Sequence, residues 1–153
     1  MTADVKIKTN APKLQARYAK FLKKLPRIIT RGVDQAGANL LTIIKHKTTR
    51  GEKYTSGRFP AYSPEYSALK GKTTVDLQDS NDMLNSMASK MINKNTSRLY
   101  FRSQYEARKA YWHQVGAGKL PARPFFGANK KVERVLQKNF EKLIATELRR
   151  FNA

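Results

Sequence analysis

Lys13–Lys47, KLQARYAKFLKKLPRIITRGVDQAGANLLTIIKHK, is the stretch on which the reading of the fold turns. Leu14, Tyr18, Phe21, Leu22, Leu25, Ile28, Ile29, Val33, Ala36, Leu40, Ile43 and Ile44 recur at spacings of three and four. That period makes one apolar stripe on a helix and rules out a strand, whose sides alternate every second residue. Lys20, Lys23, Lys24, Arg27 and Arg31 lie mostly off the stripe, on a face that water can solvate. Pro26 removes a backbone donor and crowds the preceding turn, so a kink or break is expected there. Gln35-Ala36-Gly37 has a faint helix-turn-helix look, but the apolar stripe passes through it without the interruption a turn requires.

Downstream, residues 129–151 carry a second stripe: Val132, Val135, Leu136, Phe140, Leu143, Ile144, Leu148 and Phe151. Two long amphipathic helices thus bracket the chain. Between them, residues 48–72 hold three glycines, two prolines and no sustained period, which reads as a projecting loop or arm. Its aromatics, Tyr54, Phe59, Tyr62 and Tyr66, suit either a partner interface or a lid over the domain's own core. Asp79 is placed to cap a short helix over Ser80–Ser86, with Asp82 at its third position. Ala88–Ile92 and Arg98–Arg102, separated by an asparagine-rich turn, read as an antiparallel hairpin. Tyr105–Val115 is aromatic and partly helical until Gly116-Ala117-Gly118 interrupts it. The expected architecture is α+β over residues 1–153 as a single domain. It has a long kinked N-terminal helix, a projecting loop at 48–72, a small antiparallel sheet and a C-terminal amphipathic helix.

Composition narrows the partners. Thirty-one basic residues against eleven acidic give a formal charge of +20, with +10 over residues 1–53, +3 over 54–105 and +7 over 106–153. Such a field attracts polyanions, and nucleic acid, acidic protein and anionic membrane surfaces are all admissible. The chain has no cysteine, which excludes disulfides, thiolate metal sites and thiol nucleophiles and fits a reducing compartment. No apolar run approaches the roughly 18 residues of a membrane span, and MTADVKIKTNAPK lacks the apolar stretch of a signal peptide.

The chain carries no glycine-rich phosphate loop, nucleophile elbow, paired metal-binding histidines or dinucleotide fingerprint. Asp76, Asp79 and Asp82 stand at three-residue spacing, but capping accounts for two of them and no histidine or glutamate is near. His46 suits the C-terminal end of the first helix, and His113 reads as a structural hydrogen-bonder. No catalytic residue, metal site or cofactor is expected, and the chain is not expected to be an enzyme.

Three blocks, in order, carry a resemblance. Gly57-Arg58-Phe59-Pro60-Ala61-Tyr62-Ser63-Pro64, followed by Tyr66 and Lys70, resembles a glycine-x-proline-tryptophan-x-proline-leucine-serine loop, with Tyr62 near the tryptophan position. Val75-Asp76-Leu77-Gln78-Asp79-Ser80, then Met83-Leu84-Asn85-Ser86-Met87, resembles an aspartate-leucine, threonine-glycine, leucine-x-x-serine pattern, with Asn81 where the glycine would stand. Tyr111-Trp112-His113-Gln114-Val115-Gly116, leading to Pro121-Ala122-Arg123-Pro124-Phe125-Phe126-Gly127, is the most specific. Together they resemble the phage virion-morphogenesis, or tail-completion, proteins.

That resemblance implies a structural virion protein with no active site, needed for tail completion and head–tail joining at the neck or tail end. It implies a homo-oligomeric ring, a hexamer by expectation, docked on neighbouring neck and tail proteins. Non-specific contact with genomic DNA in the channel, no membrane contact, and assembly in the host cytoplasm complete the expectation. The alternative function is sequence-independent DNA binding. Interface residues are expected at Tyr54, Phe59, Tyr62, Tyr66, His113, Gln114, Arg123, Phe125 and Phe126. The prolines flanking Ala122-Arg123 stiffen the chain there and suit Arg123 to a two-pronged contact with a carboxylate on the terminal helix or on a neighbouring subunit.

Overall fold

A computed structural model describes residues 10–152. The fold is α+β. The first helix, α1 (Ala11–Thr49), has Pro12 in its first turn, where a missing N–H costs nothing. It runs unbroken through Pro26 and through Gln35-Ala36-Gly37, so of the kink or break expected at the proline the break is absent. One lost donor is a small deficit in a 39-residue helix whose neighbouring residues Phe21 and Ile28 are buried on either side of it. Near its end, the Thr48 hydroxyl turns back to the Ile44 carbonyl at 2.7 Å.

The last helix, α5 (Lys130–Asn152), packs along α1. Asn129 opens it, accepting a hydrogen bond from the Val132 N–H at 3.0 Å. The two helices meet closely at Gly32: a Cβ there would stand 2.5 Å from the Phe140 ring. Farther out, Phe21 and Phe151 meet edge to face, centroids 5.5 Å apart. The expected stripe of α5 is mostly half-buried, with Val132 fully covered and Val135 exposed.

The hairpin comprises β1 (Met87–Asn93) and β2 (Thr96–Phe101), antiparallel, with Met87 opposite Phe101 and Asn93 opposite Thr96. Its turn is tightened by the Asn93 side chain, which accepts from the Asn95 N–H at 2.9 Å. The hairpin lies against α1 at Gly37, where any side chain would collide with Ser97. A core of Ile44, Phe59, Val75, Leu77, Met83, Leu84, Met87, Ala110 and Phe125 fills the space between the C-terminal part of α1, the hairpin and the intervening segments.

Three shorter helices complete the chain. In α2 (Pro64–Lys70), Ser63 caps by accepting from the Tyr66 N–H, Pro64 opens the first turn, and Gly71 closes in the left-handed conformation. Helix α3 (Asp82–Ser86) is shorter than expected and is not capped by Asp79; Asn81, with φ 65°, precedes it, and the Ser80 hydroxyl donates to the Asp82 carboxylate. Helix α4 (Gln104–Val115) begins at Ser103, whose hydroxyl accepts from the Glu106 N–H, and stops at Gly116, φ 80°.

Segment 48–72 is tied to the body, not free-standing as a projecting arm. Phe59 enters the core, and its N–H donates to the Gly51 carbonyl at 2.7 Å. Asn129 holds the segment from the other side, its amide donating to the carbonyls of Tyr54 and Thr55, both at 2.8 Å.

Candidate functional site

The three sequence blocks, up to 70 residues apart along the chain, line one cavity of 310 Å³. Tyr62, Ser63, Tyr66 and Lys70 come from the first block and α2, Leu77 and Asp79 from the second, His113, Pro121 and Arg123 from the third. Lys119 and Leu120 close the rim.

Arg123 is the keystone of this wall. It is only 3% exposed, and its acceptors are backbone carbonyls, not a carboxylate: Nε donates to Pro60 O and an Nη to Ala61 O, each at 3.2 Å. The guanidinium also lies over the Tyr62 ring, 5.2 Å from its centroid. The expected ion pair with the terminal helix is therefore replaced by a staple between the third block and the first. The planar fork serves two carbonyls at once, which a lysine cannot imitate. Among the described residues no acid pairs with it, and burial pulls its pKa down from the ordinary guanidinium value.

Tyr62 is held on its other side by Lys70, whose ammonium is 4.9 Å from the ring centroid and donates to the phenol oxygen at 3.1 Å. Lys70 also donates to Asp76 Oδ1 at 2.8 Å, and Lys72 to Oδ2 at 3.3 Å. The Tyr62 hydroxyl donates weakly to the same carboxylate at 3.4 Å, and the Gln78 N–H at 3.1 Å. Burial alone would raise the Asp76 carboxyl, but hydrogen bonds from Lys70 and the Gln78 N–H, with the lysine charges, hold it below the usual range. Burial would likewise lower Lys70, and its bonds to Asp76 and Tyr62 outweigh that and raise it. Asp76 is thus saturated by lysines, and the described residues contain no cluster of three histidine, aspartate or glutamate side chains able to hold a metal.

His113 stands at the cavity with a buried Nδ1 that has no hydrogen-bond partner. Burial, then the charges of Arg123 and Lys109, push its pKa below the ordinary value, which favours the neutral ring. Its own carbonyl accepts from the Arg123 N–H at 2.6 Å. Neighbouring Gln114 is wholly internal in its bonding. Its Oε1 accepts from the N–H groups of Phe125 and Phe126 at 3.1 and 3.0 Å, and its Nε2 donates to the Phe126 carbonyl at 3.2 Å. Phe125 is 1% exposed and Phe126 packs on Phe101, centroids 5.5 Å apart. Tyr54 lies flat against Gly127, where a Cβ would stand 2.8 Å from the ring.

The nine expected interface residues therefore divide sharply. Phe59 and Phe125 are core, and Tyr54, Gln114, Arg123 and Phe126 are engaged within the chain. Tyr62, Tyr66 and His113 reach the cavity, as does the engaged Arg123. Sequence reading missed a different surface, the outer side of α4. At 100° per residue, Tyr105, Arg108, Tyr111, Trp112 and Val115 fall opposite the buried Glu106 and Ala110. Tyr105, Tyr111, Trp112 and Val115 are 65, 62, 43 and 50% exposed. The signal lay in the sequence: apolar residues on this short helix outnumber the face that its small buried residues define.

Compared with protein-family models, curated proteins and solved structures, the chain matches none. None of its described helices is long and apolar enough to cross a membrane.

Proposed function

We propose that this chain is a structural protein of a tailed bacteriophage that forms a ring at the head–tail junction or tail end and is needed for tail completion and head–tail joining. The order of the three blocks supports the family reading, and their meeting around one cavity gives them a common physical purpose. The observation that carries an assembly role is the outer face of α4. Three exposed aromatics around an arginine have the composition of a protein–protein hot spot, and an unattached face of this kind on a water-facing helix has no use inside the subunit. In this reading the cavity region is the rigid body, and α4 presents the aromatics to a neighbouring subunit.

The test is the native mass of the full-length protein by light scattering across a concentration series. A ring subunit gives a mass that is a fixed multiple of the 17.5 kDa protomer. Tyr111→Ser with Trp112→Ser returns it to a monomer that keeps the folded circular-dichroism spectrum. A wild-type monomer at all concentrations, or a double variant that assembles normally, contradicts the proposal. Sequence-independent DNA binding is the alternative, and the cation run of α1 favours it.

A further inference from the structure

Residues 11–33 contain seven cations, Lys13, Arg17, Lys20, Lys23, Lys24, Arg27 and Arg31, and no acid. All of them lie on α1. At about 100° per residue they occupy an arc of roughly 120°, and Phe21, Ile28 and Gly32 occupy the neighbouring arc that α5 covers. From Lys13 to Arg31 the row is about 27 Å long, at about 1.5 Å per residue. Among the described residues only Arg31 has a carboxylate partner, Glu147 on α5. Arg17 reaches the Phe151 carbonyl and Lys24 lies over the Phe151 ring, contacts that fix the position of side chains without neutralising them.

The row borders a groove. Between α1 and the tip of the hairpin a trough of 670 Å³ is lined by Lys23, Arg27 and Arg31 on one side and by Met91 and Lys94 on the other. Thr30 and Asp34 lie within it, and one carboxylate among four cations leaves it strongly positive. Among the described residues Lys23, Arg27 and Lys94 make no ion pair, and Lys23 and Arg27 are exposed, so the fold does not use their charges.

We propose that this trough and the cation row beside it hold the phosphodiester backbone of a nucleic acid, without reading its bases. Two observations favour that ligand over an anionic membrane. A concave wall with cations on both sides accepts a convex line of phosphates, whereas a bilayer is flat and cannot enter between a helix and a hairpin tip. A membrane-surface helix also inserts its apolar side into the lipid; beside the trough, at Phe21, Ile28 and Gly32, that side of α1 is covered by α5, and the exposed Leu14, Tyr18 and Leu22 stand nearer the helix start, outside the trough. Lysine and arginine contacts to phosphate position a duplex but carry no sequence information. The inference stands apart from the assembly role, since it uses neither α4 nor the cavity.

The test uses the full-length protein and two labelled DNA duplexes of unrelated sequence, titrated between about 50 and 200 mM salt. A parallel arm uses vesicles rich in phosphatidylserine. The two duplexes bind alike, and Lys23→Gln, Arg27→Gln and Lys94→Gln together reduce affinity at low salt by at least tenfold. The slope of log affinity against log salt becomes shallower by about 3, close to one for each phosphate that is no longer neutralised. A control of equal charge, Lys130→Gln, Lys131→Gln and Arg134→Gln on the exposed start of α5, changes affinity less than about threefold with the slope kept. Equal losses in the two triple variants would mean that diffuse charge, not the trough, holds DNA. Binding to vesicles but not duplex, or a strong preference for one duplex sequence, would also overturn the proposal.

Discussion

The segment between Thr48 and Gly127 and the outer half of α1 answer their polar groups in opposite ways. In the first, Arg123 is matched to two carbonyls, Asp76 to two lysines, and Gln114 to both faces of the Phe125-Phe126 backbone. In the second, six of seven cations meet no carboxylate among the described residues. The unusual residues, the ones that draw the eye in the sequence, serve to shape this subunit. The surfaces proposed for partners are made of plainer material: a run of lysines and arginines, and aromatics on a short helix. Distinctive motifs can therefore mark the frame of a subunit.

The largest contrast between those classes is in stability. Phe125→Ala removes a side chain that is 1% exposed and opens a cavity in the core, so unfolding free energy falls by about 3–5 kcal/mol. Tyr111→Ala, on the outer face of α4 and 62% exposed, changes it by no more than about 1 kcal/mol in the dissociated subunit. Urea unfolding of the two variants measures both, and comparable losses would erase the distinction between frame and contact surface.

Arg123 sharpens it next. Arg123→Lys keeps the charge but gives up one of two buried hydrogen bonds to carbonyls and the flat stack on Tyr62, and it costs about 1–3 kcal/mol by the same assay. Arg123→Ala is at least as destabilising. If the lysine variant is as stable as the parent, charge alone suffices and the fork geometry is irrelevant.

The smallest effect is a pH dependence. His113 is pushed below its ordinary value of 6.5, first by burial and then by Arg123 and Lys109. The unfolded chain therefore takes up the proton first. Stability from this group is complete above about pH 6.5 and declines as pH falls towards the lower folded pKa. Asp76 acts in the same direction at lower pH: its contribution is present above 3.8 and is lost as pH falls through its depressed folded value. His113→Gln flattens the fall in unfolding midpoint between about pH 7 and about pH 5 and leaves the later acid transition in place. An unchanged profile would assign that fall to another group.

Periodicity makes α1 and α5 legible, because each rests on a repeat that burial imposes on a whole element, and the asparagine-rich turn between strand-forming residues makes the hairpin legible. Helix α2 escapes it although its signals are present, Ser63-Pro64-Glu65 at the start and Lys70-Gly71 at the end. A seven-residue helix with no buried residue has no apolar stripe, and period alone passes over it. Pro26 leaves kink and break open in the sequence, and the burial of Phe21 and Ile28 on either side accompanies a helix that continues across it. At the site, the blocks are readable as a set, but the partner of Arg123 is not. A guanidinium fits a carboxylate or a pair of carbonyls equally well, and only folding brings Pro60 and Ala61 within reach. The outer face of α4 is hidden for the reverse reason: its aromatics resemble core residues until Ala110 and Glu106 are seen to occupy the inner side.

The central claim is that this chain is an assembly subunit acting through α4. Its most direct test is an in-vitro joining assay with phage heads and tails prepared without the chain, scored by electron microscopy and infectivity. Adding the wild-type protein is predicted to produce joined, infectious particles at physiological salt. The Tyr111→Ser, Trp112→Ser variant, still folded by circular dichroism, is predicted to leave heads and tails separate. Heads and tails that join equally well with no protein added would contradict the account.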